Sequence, residues 1–158
     1  MNKNAMSNYE QNVLTGKDGE VWISTDGGIT NICLGNADSF NAQLNVVSQD
    51  MQPLGSSLIY GVDTGYSITV TLSEIVIRDD ILLDKIYEGL NSGVLPRFTL
   101  RGKLTRRDKK THEQVFRNCK PESSVDLLNI VPGEIVKRPW TFRANATPAL
   151  ITSFKLPA

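Results

Sequence analysis

Histidine and cysteine are nearly absent from this sequence, and so are the motifs that catalytic sites build from them. The single histidine, His112, lies in a charged turn, whereas a catalytic triad or a histidine-based metal site needs an imidazole held in a cleft. We therefore expect a solvated His112. The adjacent carboxylates Asp79 and Asp80 precede a helical pattern and are expected to cap it. No zinc, Rossmann or hydrolase motif is present, so the sequence predicts a protein that is not an enzyme and has no cofactor or metal site.

The chain also lacks paired cysteines and long apolar runs. Its two cysteines, Cys33 and Cys119, are far apart without CxxC spacing. We expect a buried, reduced pair, with a disulfide or a metal site as the alternative. No run approaches the roughly 18 consecutive apolar residues of a membrane span, and the polar N-terminus has no signal-peptide core. These absences predict a soluble product made inside the cell.

A net charge is missing too, since 17 Lys and Arg balance 17 Asp and Glu. Global attraction to nucleic acid or to a membrane surface is therefore not indicated. Residues 101–120 are locally basic, which raises nucleic-acid binding as one hypothesis. Phe116 is the only aromatic ring there for bases to stack on. We favour a solvated hairpin or a face matched to an acidic protein partner.

The 158 residues fit one domain, because domains commonly have about 100–150 residues. Residues 1–16 are predicted to form a flexible or partner-ordered arm, and residues 17–158 a single β domain. Most segments have strand patterns around one helix, predicted over residues 79–93, with an i, i+3, i+4, i+7 stripe and a stop at Gly93. The stripe residues are Leu83, Ile86, Tyr87 and Leu90. The expected fold class is mainly β with one α-helix, as a β-sandwich or partial-barrel protomer.

Two successive long strands alternate apolar side chains with polar side chains that carry no charge. The first, about 13 residues from Asp38, would be roughly 43 Å long at about 3.3 Å per residue. The second repeats the pattern from residue 66 until its parity changes, which predicts a bulge near Glu74. Their polar positions are Asn41, Gln43, Asn45, Gln49, Ser67, Thr69, Thr71 and Ser73.

The connection between these strands, residues 51–63, has more large apolar side chains than a solvated loop usually has. We favour their burial against a neighbouring copy, so that this connection is an assembly loop. The alternative is that it folds back onto the core of its own chain. The residues concerned are Met51, Leu54, Leu58, Ile59 and Tyr60.

The order of these segments resembles the tube proteins of contractile phage tails, phage-like elements and R-type bacteriocins. The resemblance covers most of residues 12 to about 145. It is carried by NVLTGKDGEVWI, DSFNAQLNVVSQDMQPLGSSLIYG, GYSITVTL, DDILLDKIYEGLNSGVLPRFTLRGKL and GEIVKRPWTFRAN. The LPRFTL passage after the helix is specific in combination with that order. The closing WTFRANATPALITSFKLPA departs from the family because it lacks the acidic character of relatives.

The resemblance implies a structural tail tube protein. Such proteins form hexameric rings that stack into a hollow tube inside a contractile sheath, and their long strands close into one β-barrel across the ring. The implied partners are further copies of this chain and the sheath, baseplate and tape-measure proteins, with possible DNA passage through the bore. Assembly would take place in the bacterial cytoplasm and lead to an extracellular particle, either a phage tail or a tail-like bacteriocin.

This implication explains the uncharged strand face, because water in a bore requires hydrogen-bonding groups rather than charges. The eight polar side chains are therefore predicted to line the bore. The sequence leaves open whether Arg101 and Lys103 face the bore or the sheath. The main competing interpretation is a monomeric β-sandwich that binds a ligand such as a glycan, although the polar face lacks the exposed aromatic residues typical of glycan sites.

Overall fold

The computed structural model describes residues 14–25, 31–77, 80, 82–107 and 109–155, so most of the predicted arm lies outside the described residues. The described residues form eight strands and one α-helix, after a short 3₁₀ turn at Gly16–Asp18. The elements are β1 (Gly19–Ser24), β2 (Ile32–Cys33), β3 (Ala37–Met51), β4 (Tyr60–Ile75), α1 (Leu83–Ser92), β5 (Phe98–Thr105), β6 (Thr111–Pro121), β7 (Lys137–Ala144) and β8 (Ala149–Thr152). The predicted class, mainly β with one helix, is confirmed.

The strands form one antiparallel sheet in the order β2-β1-β5-β6-β7-β4-β3, and β8 pairs with β6. The sheet is curled rather than flat, since Phe40 of β3 contacts β5 and β6 across the core. A Cβ built on Gly102 of β5 would lie 3.1 Å from Cε1 of Phe40, and the rings of Phe40 and Phe116 are 6.3 Å apart. The core lies inside this curl.

The core-facing side chains come from alternate positions of the strands, as the period-2 pattern predicts. Trp140 and Phe142 of β7 stack with ring centroids 6.2 Å apart, and Phe98 contacts Phe142 edge-on at 5.6 Å. The β4 contribution is Ile68, Val70 and Leu72, all buried.

The bulge predicted near Glu74 lies on the partner strand instead. The β3–β4 register shifts between Ala37 and Ser39, opposite the consecutive residues Ser73 and Glu74. On β4 the alternation therefore continues, and Glu74 is buried in line with Leu72. Sequence parity was misleading here because a buried carboxylate occupies a core position.

Helix α1 begins later than predicted and buries only part of the predicted stripe, since Ile86 is buried and Leu83 packs against the core. Its N-cap is Leu82 and not Asp80, while Asp79 lies outside the described residues. The buried residues are Leu82, Ile86 and Gly89, whereas Tyr87 and Leu90 of the predicted stripe are exposed. A glycine on the packed face allows close approach, since a Cβ on Gly89 would lie 2.7 Å from the Val94 carbonyl oxygen. The predicted stop is present, because Gly93 has the left-handed φ of 81°.

The two cysteines do not form the expected buried pair. Both thiols are free, and Cys119 is buried whereas Cys33 is exposed. Burial raises the pKa of Cys119 to about 12. The described residues contain no group of three or more His, Cys, Asp or Glu that could hold a metal ion. Within the same part of the chain, no helix is long and apolar enough to cross a membrane.

Candidate assembly surface

The eight polar side chains lie on the β3–β4 ladder. The register pairs Asn41 with Thr71, Gln43 with Thr69 and Asn45 with Ser67. Paired residues project from the same side of a sheet, so these three pairs form one uncharged surface, which we call the polar face. The Asn45 side-chain amide donates to Thr69 Oγ1 at 3.0 Å, and the Thr71 hydroxyl donates to the Asn41 carbonyl at 3.4 Å. The amides of β3 are exposed.

A second register shift changes the character of this surface towards the end of the hairpin. Val47 pairs with Gly65 but Ser48 pairs with Asp63, so Thr64 is the extra residue on β4. Beyond it the apolar side chains change sides. The polar face continues as Val47, Gln49, Met51, Tyr60 and Val62, and the opposite side carries Ser48, Asp50 and Asp63. Gln49, a predicted bore residue, is thus placed opposite Val62.

Residues 48–63, which we call the hairpin tip, project from the sheet with unpaired edges. Within the described chain β3 pairs only with β4, and β7 covers β4 only from Ile68 onward. Residues 60–67 of β4 therefore have free backbone groups on the side away from β3. Such edges readily pair with another chain.

The loop at the end of the hairpin tip is a compact turn with its apolar side chains outward. The Ser56 amide donates to the Pro53 carbonyl at 3.2 Å, and the Gln52 side-chain amide donates to the Ser56 carbonyl at 3.0 Å. Leu54 is fully exposed. The five predicted interface residues, Met51, Leu54, Leu58, Ile59 and Tyr60, are all exposed. The alternative that they fold back onto the core of their own chain is wrong.

Arg101 and Lys103 of β5 point away from the polar face. They flank Gly102, whose core side contacts Phe40 of β3. Because β3 and β5 face each other across the core, the other sides of the two strands point in opposite directions. Arg101 Nη1 lies 3.1 Å from a carboxylate oxygen of Glu113. Arg101 and Lys103, whose orientation the sequence left open, therefore point in the direction opposite to the side-chain amides of the polar face.

An apolar groove of about 1420 Å³ opens between β3 and the β1, β5 and β6 strands, lined among others by Phe40, Leu44 and Leu104. His112 lies in its wall and is half-buried rather than solvated as predicted. Its Nε2 is 2.8 Å from the Gln114 side-chain nitrogen, and its ring is 5.7 Å from that of Phe154. Sequence reasoning missed this contact because Phe154 is brought to His112 by the tertiary path of the C-terminal segment.

The chain is similar to known proteins in its fold but not in its sequence. No family model matches the chain, and no curated protein sequence does. Solved structures do match. A chain of the anti-feeding prophage baseplate has a TM-score of 0.63 at 8% identity, covering 88% of this chain and 97% of that one. A chain of the PVC sheath–tube complex, an extracellular contractile injection system in the extended state, has 0.61 at 12%, covering 96% and 99%.

The fold is that of phage-tail-like components. A chain of the tail of an empty gene transfer agent particle also matches, with a TM-score of 0.59 at 11% identity, covering 89% of this chain and 100% of that one. The likeness covers nearly the whole length of each chain. The resemblance to tail tube proteins seen in the sequence is therefore confirmed at the level of fold.

Proposed function

We propose that this chain is a structural tail tube protein whose copies form hexameric rings with a hydrophilic bore. The observation that carries the proposal is the uncharged polar face on a long hairpin with free edges and an apolar tip. A single molecule would leave the edge of β3 and the edge of β4 at residues 60–67 exposed, a marginal arrangement in water. In a closed ring the edges pair and the amides face a hydrated channel.

The bore would be lined by Asn41, Gln43, Asn45, Gln49, Ser67, Thr69, Thr71 and Ser73. Amides and hydroxyls hydrogen-bond water without attracting either sign of charge strongly, so the channel would hold neither a polyanion nor a polycation tightly. The free edges and the apolar hairpin tip would contact adjoining copies. Arg101 and Lys103, being directed oppositely, would face outward to a contractile sheath.

The proposed setting is a phage tail or a tail-like bacteriocin, assembled in the bacterial cytoplasm and then part of an extracellular particle. Sheath, baseplate and tape-measure proteins would be its partners, and DNA its possible cargo. The role is structural and requires no catalytic group. It is supported by the fold likeness to chains of tail-like particles at TM-scores of 0.59 to 0.63.

The second candidate, a monomeric binding module, is favoured by one observation, the open apolar groove of about 1420 Å³. Size-exclusion chromatography and negative-stain microscopy of the purified chain separate the two. Stacked rings support the tube, whereas a monodisperse monomer at high concentration contradicts it.

Thiol labelling tests the orientation of the bore. In a Cys33→Ser background, Gln43→Cys is compared with the matched variant Lys103→Cys on the opposite side. A maleimide coupled to a large polymer should label Lys103→Cys in assembled tubes but label Gln43→Cys only after disassembly. Equal labelling of both positions in intact tubes would contradict the proposed bore.

A further inference from the structure

The connection between β6 and β7, residues 122–136, exposes a second apolar surface that the proposed bore does not use. Leu128, Ile130 and Ile135 are 74%, 68% and 69% exposed. A cluster of this kind on a protein surface marks an interaction site more often than a solvated loop. Its exposed large apolar residues are Leu127, Leu128, Ile130, Val131, Ile135 and Val136.

This segment is held in a defined shape rather than hanging freely. Its first residue, Glu122, donates its backbone amide to the Thr141 carbonyl at 2.9 Å, and Val136 at its end accepts from the Val76 amide at 3.0 Å. Within the segment, the Leu127 carbonyl accepts a hydrogen bond of 3.3 Å from the buried side chain of Arg138, which lies just after the segment. An apolar surface that is already ordered loses little conformational entropy on binding.

The segment and the hairpin tip lie at opposite ends of the molecule. On β4 the chain runs from Tyr60 at the tip to Ile75, and Ile75 pairs with Lys137, the residue after the segment. These 16 residues separate the two ends by roughly 50 Å at about 3.3 Å per residue. One molecule thus has an exposed apolar patch at each end.

A loop at one end and a turn at the other also differ in charge. Residues 122–136 include Glu122, Asp126 and Glu134 but no Lys or Arg, and we call this segment the acidic loop. The turn between β5 and β6, residues 106–110, has four basic residues and one aspartate, and we call it the basic turn. β6 runs antiparallel to β7, so the basic turn lies at the same end as the hairpin tip.

We propose that the acidic loop of one copy is the docking surface for the tip end of a second copy, so that rings stack head to tail. This inference rests on the proposed tube function. If two rings met by the same end, one acidic loop would face another acidic loop. In a head-to-tail contact, the apolar side chains of the acidic loop meet those of the hairpin tip, and its carboxylates meet the cations of the basic turn. A contact between unlike surfaces does not close on itself along the stacking direction and therefore propagates into a filament.

The apolar part is tested with Ile130→Asp and the matched control Ile130→Val, using native mass spectrometry for rings and negative-stain microscopy for tubes. Ile130→Asp should form rings of wild-type mass that associate with one another at least about tenfold more weakly, which corresponds to about 1.4 kcal/mol in the free energy of ring–ring association. Ile130→Val should form normal tubes. Normal tubes from Ile130→Asp would overturn the inference, as would loss of the rings themselves by a variant with wild-type circular dichroism.

The charge part is tested by reversal. Asp126→Lys with Glu134→Lys should reduce stacking, and Arg107→Glu with Lys109→Glu should do the same. Combining all four changes should restore tubes, because the attraction is kept with its sign exchanged. Failure of the combination to restore stacking would overturn the assigned pairing. Absence of rings in the wild-type protein would instead overturn the proposed function, so the two failures are distinguishable.

Discussion

Replacing Arg138 by Met should destabilise the protein strongly at neutral pH and scarcely at all in acid. Arg138 and Glu74 form a buried ion pair with 5% and 4% side-chain exposure, Nη1 to Oε1 being 3.5 Å. The carboxylate also accepts from Trp140 Nε1 at 3.0 Å and from the Asn36 side-chain amide at 3.5 Å. Burial raises the pKa of Glu74 above 4.5 even with these partners present. Without Arg138 the charge would be less well compensated still.

The loss of stability in Arg138→Met is limited because Glu74 can take up a proton when its partner is missing. Leaving one charge of a buried pair uncompensated costs about 3–5 kcal/mol. Protonation limits that penalty, since protonating a group of pKa 4.5 at pH 7 costs about 3.4 kcal/mol at about 1.4 kcal/mol per unit. We therefore expect Arg138→Met to lower the free energy of unfolding by about 3 kcal/mol at pH 7.

The sign of the pH dependence is set by the raised pKa. Below pH 4.5, the unfolded pKa, Glu74 is protonated in both states and its contribution to stability is fully present. It is lost as pH rises through the folded pKa, because the folded state holds the proton more tightly than the unfolded chain. Arg138→Met raises the folded pKa further, so the difference between wild type and variant should widen from pH 4.5 to 7.

The assay is urea unfolding followed by tryptophan fluorescence at several pH values, at a protein concentration where both proteins have the same oligomeric state. The control is Glu74→Gln combined with Arg138→Met, which removes both charges and retains an acceptor for Trp140. It should recover most of the lost stability and flatten the pH dependence. A pH-independent loss, or a double variant no more stable than Arg138→Met, would refute the reasoning.

Two further predictions concern close packing and thiol access. Gly89→Ala should lower the free energy of unfolding by about 1–3 kcal/mol, because its Cβ would lie 2.7 Å from the Val94 carbonyl oxygen, whereas Gly35→Ala, with open space around it, should have little effect in the same thermal unfolding measurement; equal effects would contradict the assigned helix contact. Ellman's reagent should titrate exposed Cys33 at once and buried Cys119 only in denaturant, and two fast thiols in the native protein would contradict the fold.

The β3–β4 hairpin was predictable because its signal is local. Alternation with period 2 places Asn41 and Gln43 on one side and Phe40 and Ala42 on the other, whatever the rest of the chain does. The antiparallel register of β3 and β4 places Thr71 and Thr69 beside those two amides. The apolar character of the loop was also predictable from the sequence, since five large apolar residues in one connection are expected to be buried against another surface.

The helix face was predicted less well because periodicity does not reveal what the helix packs against. The stripe through Tyr87 and Leu90 fits the 3.6-residue period, yet Gly89 is buried and those two side chains are exposed. Close approach of the 94–96 backbone requires a residue without a side chain, and that requirement comes from the path of the chain after the helix. Glu74 was missed for the same kind of reason, since its partners Arg138 and Trp140 are 64 and 66 residues away.

What the sequence by itself determined is therefore the alternation of polar and apolar side chains along the two long strands and the apolar character of the loop at residues 51–63. These depend on neighbours within a few residues along the chain. Only the tertiary structure decided that the polar face and the Arg101 side of β5 point in opposite directions. It also decided that the hairpin tip changes polarity at Thr64, and that the acidic loop and the basic turn lie at opposite ends of the molecule. Those relations depend on register and on the curl of the sheet, which are set by contacts such as Phe40 against Gly102 between residues distant in sequence.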